Sequence, residues 1–343
     1  MKPNRRSWGL CSRICAAAIG IISLATPASA EGLKPVKIGL IPLTSSSPIF
    51  IARDKGYFKA EGLDAEILPF DAAQPIAVAV AAGDVQFGTT AFTAGFFNLA
   101  GNGSLKIIAG ESREVPGYRN QGYLVYPKVY DAGLKSPRDL PGHSLGVTQV
   151  GSNSHLSLGL WAEKAGFPVS RVKVVPLQTL GNVAAAVKTG RIDTALLPVA
   201  VAQPLIDSGS VKVIGWVGDL TPWQLAGIFA APSTLADRDA TTRFLTALRK
   251  ANAEYYDTLL KDYQGKPTPV DDRTRPLLEI ISRNIKQPVE KVARILPYID
   301  PEGRLDVASI RRIVVWFQRE KFVKPGITGD DVVDASFGFT EGK

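Results

Sequence analysis

Two ten-residue segments of this chain, about 107 positions apart, follow nearly the same pattern. This repeated phrase restricts the possible folds most strongly. Residues 79–88 and 186–195 each contain the end of an alanine-rich helix, a glycine, an aliphatic residue beside a polar one, and a short strand. Glycine is favoured just past a helix C-terminus because the backbone there turns left-handed. Two such connections predict two α/β lobes of related design, with a cleft between them.

The first thirty residues have the pattern of a secretory signal peptide. Four basic residues precede an apolar run at 14–24, and Ala28-Ser29-Ala30 then offers a cleavage site before Glu31. The apolar run is too short to span a bilayer as an anchor. We therefore expect a mature periplasmic chain that begins at Glu31. The Arg5-Arg6 pair leaves open whether export uses the general or the twin-arginine route.

Cleavage there would change what the composition allows. Four of the 40 basic residues leave, so 36 Lys and Arg face 32 Asp and Glu, and the net charge falls from +8 to +4. Both cysteines, Cys11 and Cys15, leave as well, so we expect no thiol, disulfide or cysteine-bound metal in the mature chain. A charge this small does not favour nucleic acid or a membrane surface as a partner. We expect a monomer.

From Val36 the sequence alternates between short apolar strands and helices, which is typical of βαβ units and a mostly parallel sheet. A helix is predicted at 48–60 with Ser47 as its N-cap. The alternation of strands and helices stops at 114–121, a loop that is predicted to cross to the second lobe. Residues 223–231 are predicted to return to the first lobe. Helices are predicted over most of the remainder, at 240–260, 273–285, 289–296 and 307–322.

These observations assign residues 1–30 to the signal peptide, 31–118 to the first part of lobe 1 and 119–217 to lobe 2. Residues 218–343 form the second part of lobe 1 and a helical C-terminal region packed on that lobe. Two crossings between lobes predict an architecture that closes around a solute by hinge motion.

In such sheets ligands bind beyond the carboxyl ends of the strands, so the loops at those ends are candidate binding loops. Four of them lie at predicted helix starts, at 44–48, 89–92, 151–155 and 197–199. Their hydroxyl, amide and backbone N–H groups suit an anion or an oxygen-rich head group. None of the four contains Asp or Glu, so a simple cation is a poor candidate ligand.

We select ten candidate ligand-binding residues from these loops and the crossings: Ser46, Ser47, Thr89, Thr90, Phe92, Arg113, Ser152, Asn153, Pro198 and Trp223. The aromatic residues would form apolar walls, and the arginine would neutralise an anionic group. Each has a structural alternative, since Ser, Thr and Asn commonly cap helices and aromatic residues commonly lie in cores. The arginine has its own alternative as a solvated loop residue.

The sequence contains few residues that are suited to catalysis. His143 and His155 are the two histidines, and there is no nucleophile elbow or phosphate-binding loop signature. Without a thiol or a histidine pair at ligand spacing, a cysteine nucleophile or a zinc site is hard to build. We therefore expect no catalytic residue, no metal and no cofactor.

Residues 52–63 resemble the motif A-x-x-x-G-[YF]-F-x-x-x-G-L of periplasmic substrate-binding proteins of ABC importers, in the nitrate/sulfonate/taurine/pyrimidine group. Both repeated phrases and residues 140–147 and 151–155 extend the resemblance over about 36–260. It implies a type II periplasmic-binding-protein fold, capture of a small solute in the cleft, and delivery to a membrane permease. By position, residues 46–47, 89–90 and 152–153 match the family's ligand-contacting loops.

One departure bears on the ligand. Sulfonate-type members carry a Trp-Asp-Pro-like stretch where this chain has Leu197-Pro198-Val199-Ala200. This apolar contact weakens the case for taurine or an alkanesulfonate, and it favours a solute with an apolar or aromatic body and an anionic or polar head. We expect lobe 1 to bind the head and lobe 2 to cover the body.

Two other functions stay open. Enzymes of pyrimidine synthesis share the scaffold, although the resemblance implies that they need a reactive histidine and a cysteine-bearing iron motif. A solute sensor that docks on a receptor, rather than on a permease, would use the same cleft. Since fold alone does not determine the ligand, the identity of the solute is beyond the sequence.

Overall fold

The computed structural model describes residues 32–341, so the predicted signal peptide lies outside the described residues. Within them the strands are β1 (Lys34–Leu40), β2 (Leu63–Pro69), β3 (Phe87–Ala91), β4 (Lys106–Gly110), β5 (Ser112–Glu114), β6 (Gln121–Val125), β7 (Ser144–Val147), β8 (Lys173–Pro176), β9 (Thr194–Pro198), β10 (Lys212–Trp216), β11 (Trp223–Gln224), β12 (Ala226–Ala230) and β13 (Tyr298–Ile299).

The helices of the same region are α1 (Ser47–Asp54), α2 (Tyr57–Ala60), α3 (Ala73–Ala82), α4 (Ala94–Gly101), α5 (Pro127–Asp131), α6 (Asn153–Ala165), α7 (Leu180–Lys188), α8 (Val199–Asp207), α9 (Val217–Leu220), α10 (Pro232–Leu235), α11 (Arg238–Tyr255), α12 (Arg275–Ile285), α13 (Val289–Val292) and α14 (Val307–Arg319). None of the helices described is both long and apolar enough to cross a membrane.

Two five-stranded sheets form the lobes, and this confirms the predicted α/β fold with two lobes around a cleft. The first sheet has the order β2-β1-β3-β12-β4 and the second the order β10-β6-β9-β7-β8. In each sheet four strands run in the same direction, β1, β2, β3 and β4 in the first and β7, β8, β9 and β10 in the second.

Antiparallel strands enter each sheet where the chain has just crossed between lobes. After one crossing, β6 pairs antiparallel with both β9 and β10, and after the other, β12 pairs antiparallel with both β3 and β4. A chain that arrives from the crossing enters its sheet at the cleft edge and must run away from it. One strand of the five in each sheet therefore runs against the others, which agrees with the mostly parallel sheet predicted.

The two crossings are joined to each other by a small third sheet of order β11-β5-β13. Trp223 of β11 lies opposite Glu114 of β5, and Tyr298 of β13 lies opposite Arg113 on the other side. The predicted loop at 114–121 thus begins as a strand. Both connections between the lobes run through this third sheet, and we refer to it as the hinge sheet.

The repeated phrase has the same structure in both lobes. Gly83 after α3 and Gly190 after α7 have φ values of 86° and 71°, which confirms the predicted left-handed turn. Three residues later, a side-chain oxygen accepts a backbone hydrogen bond from the neighbouring strand. The Oε1 of Gln86 accepts from the N–H of Lys37 at 2.9 Å, and the Oδ2 of Asp193 accepts from the N–H of Ser144 at 2.8 Å.

The C-terminal helices pack on the first lobe, as predicted. Phe244 of α11 stacks on Phe87 of β3 with the ring centroids 3.8 Å apart, and on Phe58 of α2 at 5.2 Å. The apolar face predicted for α14 is buried as well, but α14 also touches the second lobe. A Cβ added at Gly159 of α6 would lie 1.9 Å from the ring of Trp316, so these two helices are in close contact.

Several predicted helix boundaries differ from the structure. The helix predicted at 48–60 is divided into α1 and α2 at Gly56, whose φ of 74° is left-handed. Ser47, predicted as the N-cap, is the first helical residue of α1, because the turn Thr44–Ser46 before it is already a short 3-10 helix. The helix predicted at 289–296 ends at Val292.

Candidate functional site

A cavity of about 580 Å³, counting its open mouth, lies between the two sheets. Its lining residues are Ile41, Leu43, Ser45, Ser46, Ala72, Ala73, Thr89, Thr90, Ala91, Glu111, Ser112, Asn120, Gln121, Thr148, Asn153, Leu180, Pro198, Leu225 and Ala226.

Strand direction explains why these residues meet. The parallel strands end at the cleft, so the segments that follow β1, β2, β4, β7 and β8 line the cavity along with the last residues of β3 and β9. The antiparallel strands β6 and β12 contribute their first residues, Gln121 and Ala226, since their amino ends lie at the same edge. Helices α1, α3, α6 and α7 begin at this edge, so their N-terminal N–H groups are nearby.

The first lobe supplies a group of hydroxyls beside a carboxyl. Thr89 and Thr90 at the end of β3 are 1 % and 7 % exposed, and Ser46 is 3 % exposed. The Oγ of Ser46 donates to the carbonyl of Ile41 at 3.1 Å and lies 3.5 Å from Oε1 of Glu111. The ends of three strands thus converge on one carboxyl.

Glu111, directly after β4, is the ionisable residue among the described residues that line the cavity. It is 6 % exposed. Burial raises the pKa of its carboxyl from the ordinary 4.5 to about 8, although the nearby hydroxyls of Thr89 and Ser46 and the backbone of Ser112 act in the opposite direction. In the ligand-free protein at neutral pH this carboxyl is therefore mostly protonated.

Several polar atoms at the cavity have no hydrogen-bond partner within the described chain. They are Oγ1 of Thr89, Oγ of Ser112, Nδ2 of Asn120 and Oε1 of Gln121. All four side chains are less than 5 % exposed. A buried polar group without a partner costs roughly 1–3 kcal/mol, so these four atoms could gain hydrogen bonds from a molecule that enters the cavity.

The second lobe contributes a mixed wall. Leu180 and Pro198 are apolar, whereas Thr148, Asn153 and Gln121 are polar. The apolar contact expected at Pro198 is present. The expected division between a polar first lobe and an apolar second lobe is only partial, because the first lobe also brings Ile41, Leu43 and several alanines to the cavity.

Five of the ten predicted residues line the cavity: Ser46, Thr89, Thr90, Asn153 and Pro198. The structure does not bring the other five there. Ser47 is fully buried, and its Oγ donates to the carbonyl of Thr44 at 2.6 Å. Ser152 caps α6, where its Oγ accepts from the N–H of His155. Ser152 therefore has the capping role that was its structural alternative, whereas Ser47 is held by its bond to the turn before α1.

The two aromatic residues proposed as apolar walls belong to the core. Phe92 is fully buried against Phe96 and Phe97, with ring centroids 5.2 Å and 5.6 Å away. Trp223 is 2 % exposed and lies in the hinge strand β11. Arg113 is turned toward the C-terminal segment, where it pairs with Glu341 at 2.8 Å, so it does not line the cavity.

The sequence-based reading missed Glu111, Asn120 and Gln121. It also treated a cation as a poor candidate because no acidic residue occurs in the four loops inspected, and Glu111 removes that argument. A signal was available, since Glu111 follows a predicted strand of the first sheet as the four loops do. Asn120 and Gln121 lie at the start of the antiparallel strand β6. A rule that selects residues at the carboxyl ends of strands does not select them.

The histidines have no role in the cavity. His155 is 7 % exposed and packs against Trp316 and Phe322, with its Nδ1 accepting from the N–H of Gly151 at 3.2 Å. Burial lowers its pKa. His143 lies at the surface beside Asp193, 3.7 Å away. Within residues 32–341, no group of three or more His, Cys, Asp or Glu side chains is placed to hold a metal.

Comparison with known proteins identifies relatives in sequence and in structure. The family model described as NMT1/THI5 like matches residues 43–258. A Brucella abortus protein, whose name provisionally calls it a binding protein, is 29 % identical over 184 residues. That match covers 53 % of this chain and 52 % of the relative, so the chain spans about half the length of the curated relatives it matches. Proteins of Brucella suis and Brucella melitensis match equally well.

Solved structures with the same fold include the aliphatic sulphonate binding protein SsuA of Escherichia coli, with a TM-score of 0.66 at 18 % identity over 88 % of this chain and 92 % of that one. The alkanesulfonate-binding SsuA of Xanthomonas axonopodis has a TM-score of 0.70 at 16 % identity, over 89 % and 99 % of the two chains. The nitrate-binding protein NrtA of Synechocystis has a TM-score of 0.68 at 15 % identity, over 90 % and 88 %. At these identities the likeness concerns the fold.

Proposed function

The chain belongs to the NMT1/THI5-like family, and on that basis we propose that it is the extracytoplasmic solute-binding component of an ABC importer. It captures a small organic solute with a polar head group between its lobes and delivers it to a membrane permease. The observation that carries this proposal is the set of four buried, unpartnered polar atoms around the cavity. The kinship in fold with sulfonate- and nitrate-binding proteins supports it.

Binding without chemical conversion is the second part of the proposal. The described residues that line the cavity include no cysteine, histidine or lysine that could act as a nucleophile at neutral pH. The hinge sheet between the lobes suits opening and closing around a solute. We infer that the protein acts as a monomer in the periplasm, after removal of residues 1–30, and that nucleic acid is not a partner.

Native mass spectrometry of the protein purified from its own host tests the proposal. We expect one small molecule bound per chain, which is released by mild denaturation and rebound by the emptied protein. Incubation of the released molecule with the protein should leave its mass unchanged. Conversion into a product would instead support the enzyme alternative, and the absence of any bound or rebinding solute would contradict the proposal.

The importer and the sensor alternatives differ in the protein on which the solute-bound chain docks, a permease or a receptor. A solute-binding protein of an importer should restore solute uptake when it is added back to cells that lack its gene. A sensor would leave uptake unchanged and alter the response of a receptor. Uptake of the released solute, compared between such cells with and without the restored gene, therefore separates these two functions.

A further inference from the structure

The carboxyl of Glu111 has no partner charge within the described chain. The two arginines in the neighbouring segments are engaged elsewhere, Arg113 with Glu341 at 2.8 Å and Arg304 with Asp300 at 2.9 Å. The hydroxyls of Thr89 and Ser46 lie near it, and that of Ser46 already donates to a backbone carbonyl. A carboxyl buried in this way is costly to ionise unless an opposite charge approaches it.

Other side chains that line the same cavity include further acceptors. The Oε1 of Gln121 lacks a donor within the described residues, and the hydroxyls of Thr89 and Ser112 can each accept as well as donate. An ammonium group offers three N–H donors and an amidinium group offers four. The cavity thus presents acceptors for several N–H groups of one head group, with a carboxyl among them.

We propose that the solute bound in this cavity carries a nitrogen cation, an ammonium or an amidinium group, and that this group binds the carboxylate of Glu111. This inference rests on the proposed function and names the class of solute. Glu111 then determines specificity for cationic over anionic solutes. A sulfonate or a carboxylate at the same place would face a carboxyl, and not the cationic side chain that an anion needs.

The α1 N-terminus fits this arrangement. Ser46 directly precedes α1, and helix N-termini stabilise nearby negative charge by roughly 0.3–1 kcal/mol. The carboxylate that forms when a cation binds is therefore supported from the protein side as well. The N-termini of α3, α6 and α7 remain available to oxygen atoms on other parts of the solute.

Binding of a cation should release a proton. The carboxyl is mostly protonated in the ligand-free site at neutral pH, since its pKa is about 8, and it must ionise to pair with the cation. No other ionisable group lines the cavity within the described chain. On the adjoining strand β5, burial raises the pKa of the Glu114 carboxyl and the charge of Asp219 raises it further, while Arg113 pairs with Glu341. Affinity for a cation should thus rise roughly tenfold per pH unit below pH 8 and level off above it.

The experiment is isothermal titration with five probes that share an aromatic body. Benzylamine and benzamidine carry the nitrogen cation, benzamide is neutral, and benzoate and benzenesulfonate are anions. We expect the two cations to bind at least tenfold more tightly than the anions at pH 8, with proton release detected by comparing buffers of different ionisation enthalpy. The Glu111→Gln variant should lose at least tenfold in cation affinity, and it should also lose the dependence on pH.

Glu66→Gln is the matched control, because Glu66 is an exposed residue of β2 outside the cavity, and it should bind as the wild type does. The inference is wrong if an anion binds more tightly than both cations, if neither cation binds at millimolar concentration, or if Glu111→Gln binds a cation unchanged. Tighter binding of an anion would leave the proposed function standing. The proposed function itself fails only if the protein from its own host neither holds nor rebinds a solute.

Discussion

The Oγ of Ser46 lies 3.5 Å from Oε1 of Glu111, so the loop after β1 meets the end of β4 at one wall of the cavity. Both side chains are more than nine-tenths buried. The contact places a carboxyl beside the start of α1, in the cavity between the two sheets. The consequences for stability, packing and binding can be measured separately.

The pH dependence of stability should report on Glu111 in the ligand-free protein. Below pH 4.5 this carboxyl is protonated in both folded and unfolded chains. Between pH 4.5 and about 8 only the unfolded chain has lost the proton, so the free energy of unfolding of the wild type falls as the pH rises. Above pH 8 the carboxyl of Glu111 is ionised in both the folded and the unfolded chain, so this loss of unfolding free energy stays constant.

Glu111→Gln removes this titration and should be more stable than the wild type at high pH. The difference should be small near pH 4.5 and grow to on the order of 4 kcal/mol at pH 8, because each pKa unit corresponds to about 1.4 kcal/mol. Urea unfolding at several pH values measures it. Glu66→Gln should give a curve parallel to that of the wild type, and a parallel curve for Glu111→Gln would contradict the assignment.

Thr89→Val should separate stability from binding. The Oγ1 of Thr89 is buried without a partner in the described chain, so valine of the same shape should stabilise the ligand-free protein by about 1 kcal/mol. Solute binding should weaken, because the hydroxyl is one of the proposed contacts. Urea unfolding and titration with the released solute measure the two effects.

Thr194→Val is the matched control for this substitution. The Oγ1 of Thr194 donates to the carbonyl of Ser144 at 2.7 Å, so its removal should destabilise by about 1 kcal/mol. Equal effects of the two substitutions would show that the hydroxyl of Thr89 has a structural partner, contrary to the structure.

Gly159→Ala tests the contact between α6 of the second lobe and α14. The added Cβ would lie 1.9 Å from the ring of Trp316, so one of the helices must shift, and we expect a loss of about 1–3 kcal/mol in unfolding free energy. Gly181→Ala in α7 meets only its own neighbour Thr179 at 3.9 Å, and it should be neutral or stabilising by up to about 1 kcal/mol. A neutral Gly159→Ala would mean that the two helices are not closely packed in solution.

Asp193→Ala tests the hydrogen bonds that the repeated phrase makes in the second lobe. Its carboxylate accepts from both the N–H and the Oγ of Ser144 at 2.8 Å, so removal should cost about 1–3 kcal/mol. Gln86→Ala removes two neutral, exposed hydrogen bonds, one from the N–H of Lys37 and a longer one to the carbonyl of Gly83 at 3.5 Å, and should cost less than about 1 kcal/mol. Thermal unfolding of both variants measures the difference. A larger cost for Gln86→Ala would contradict the prediction that the hydrogen bonds of Asp193 stabilise the protein more than those of Gln86.

Local rules predicted the architecture well. The two glycines at 83 and 190, and the helices and strands around them, follow from turn chemistry and periodicity, which act within a few residues. The division of the helix at Gly56 follows from the same left-handed turn of a glycine, whereas the antiparallel direction of β6 and β12 depends on how distant segments meet. Periodicity carries no information on this direction.

The candidate site was half predictable. Rules about strand ends selected Ser46, Thr89, Thr90, Asn153 and Pro198 correctly as residues that line the cavity. The same rules cannot tell a ligand wall from a core, so Phe92 and Trp223 were selected although packing against distant residues buries them. Glu111 was missed because its importance comes from burial, which only the assembled lobes produce.

A crystal structure of the protein with the solute that co-purifies from its own host tests the central claim most directly. The account predicts a single small molecule between the lobes, with a nitrogen of its cationic group at hydrogen-bond distance from the carboxylate of Glu111. Its other polar atoms should contact Thr89, Ser112, Asn120 or Gln121. A solute bound elsewhere, or one that places an anionic group against Glu111, would contradict it.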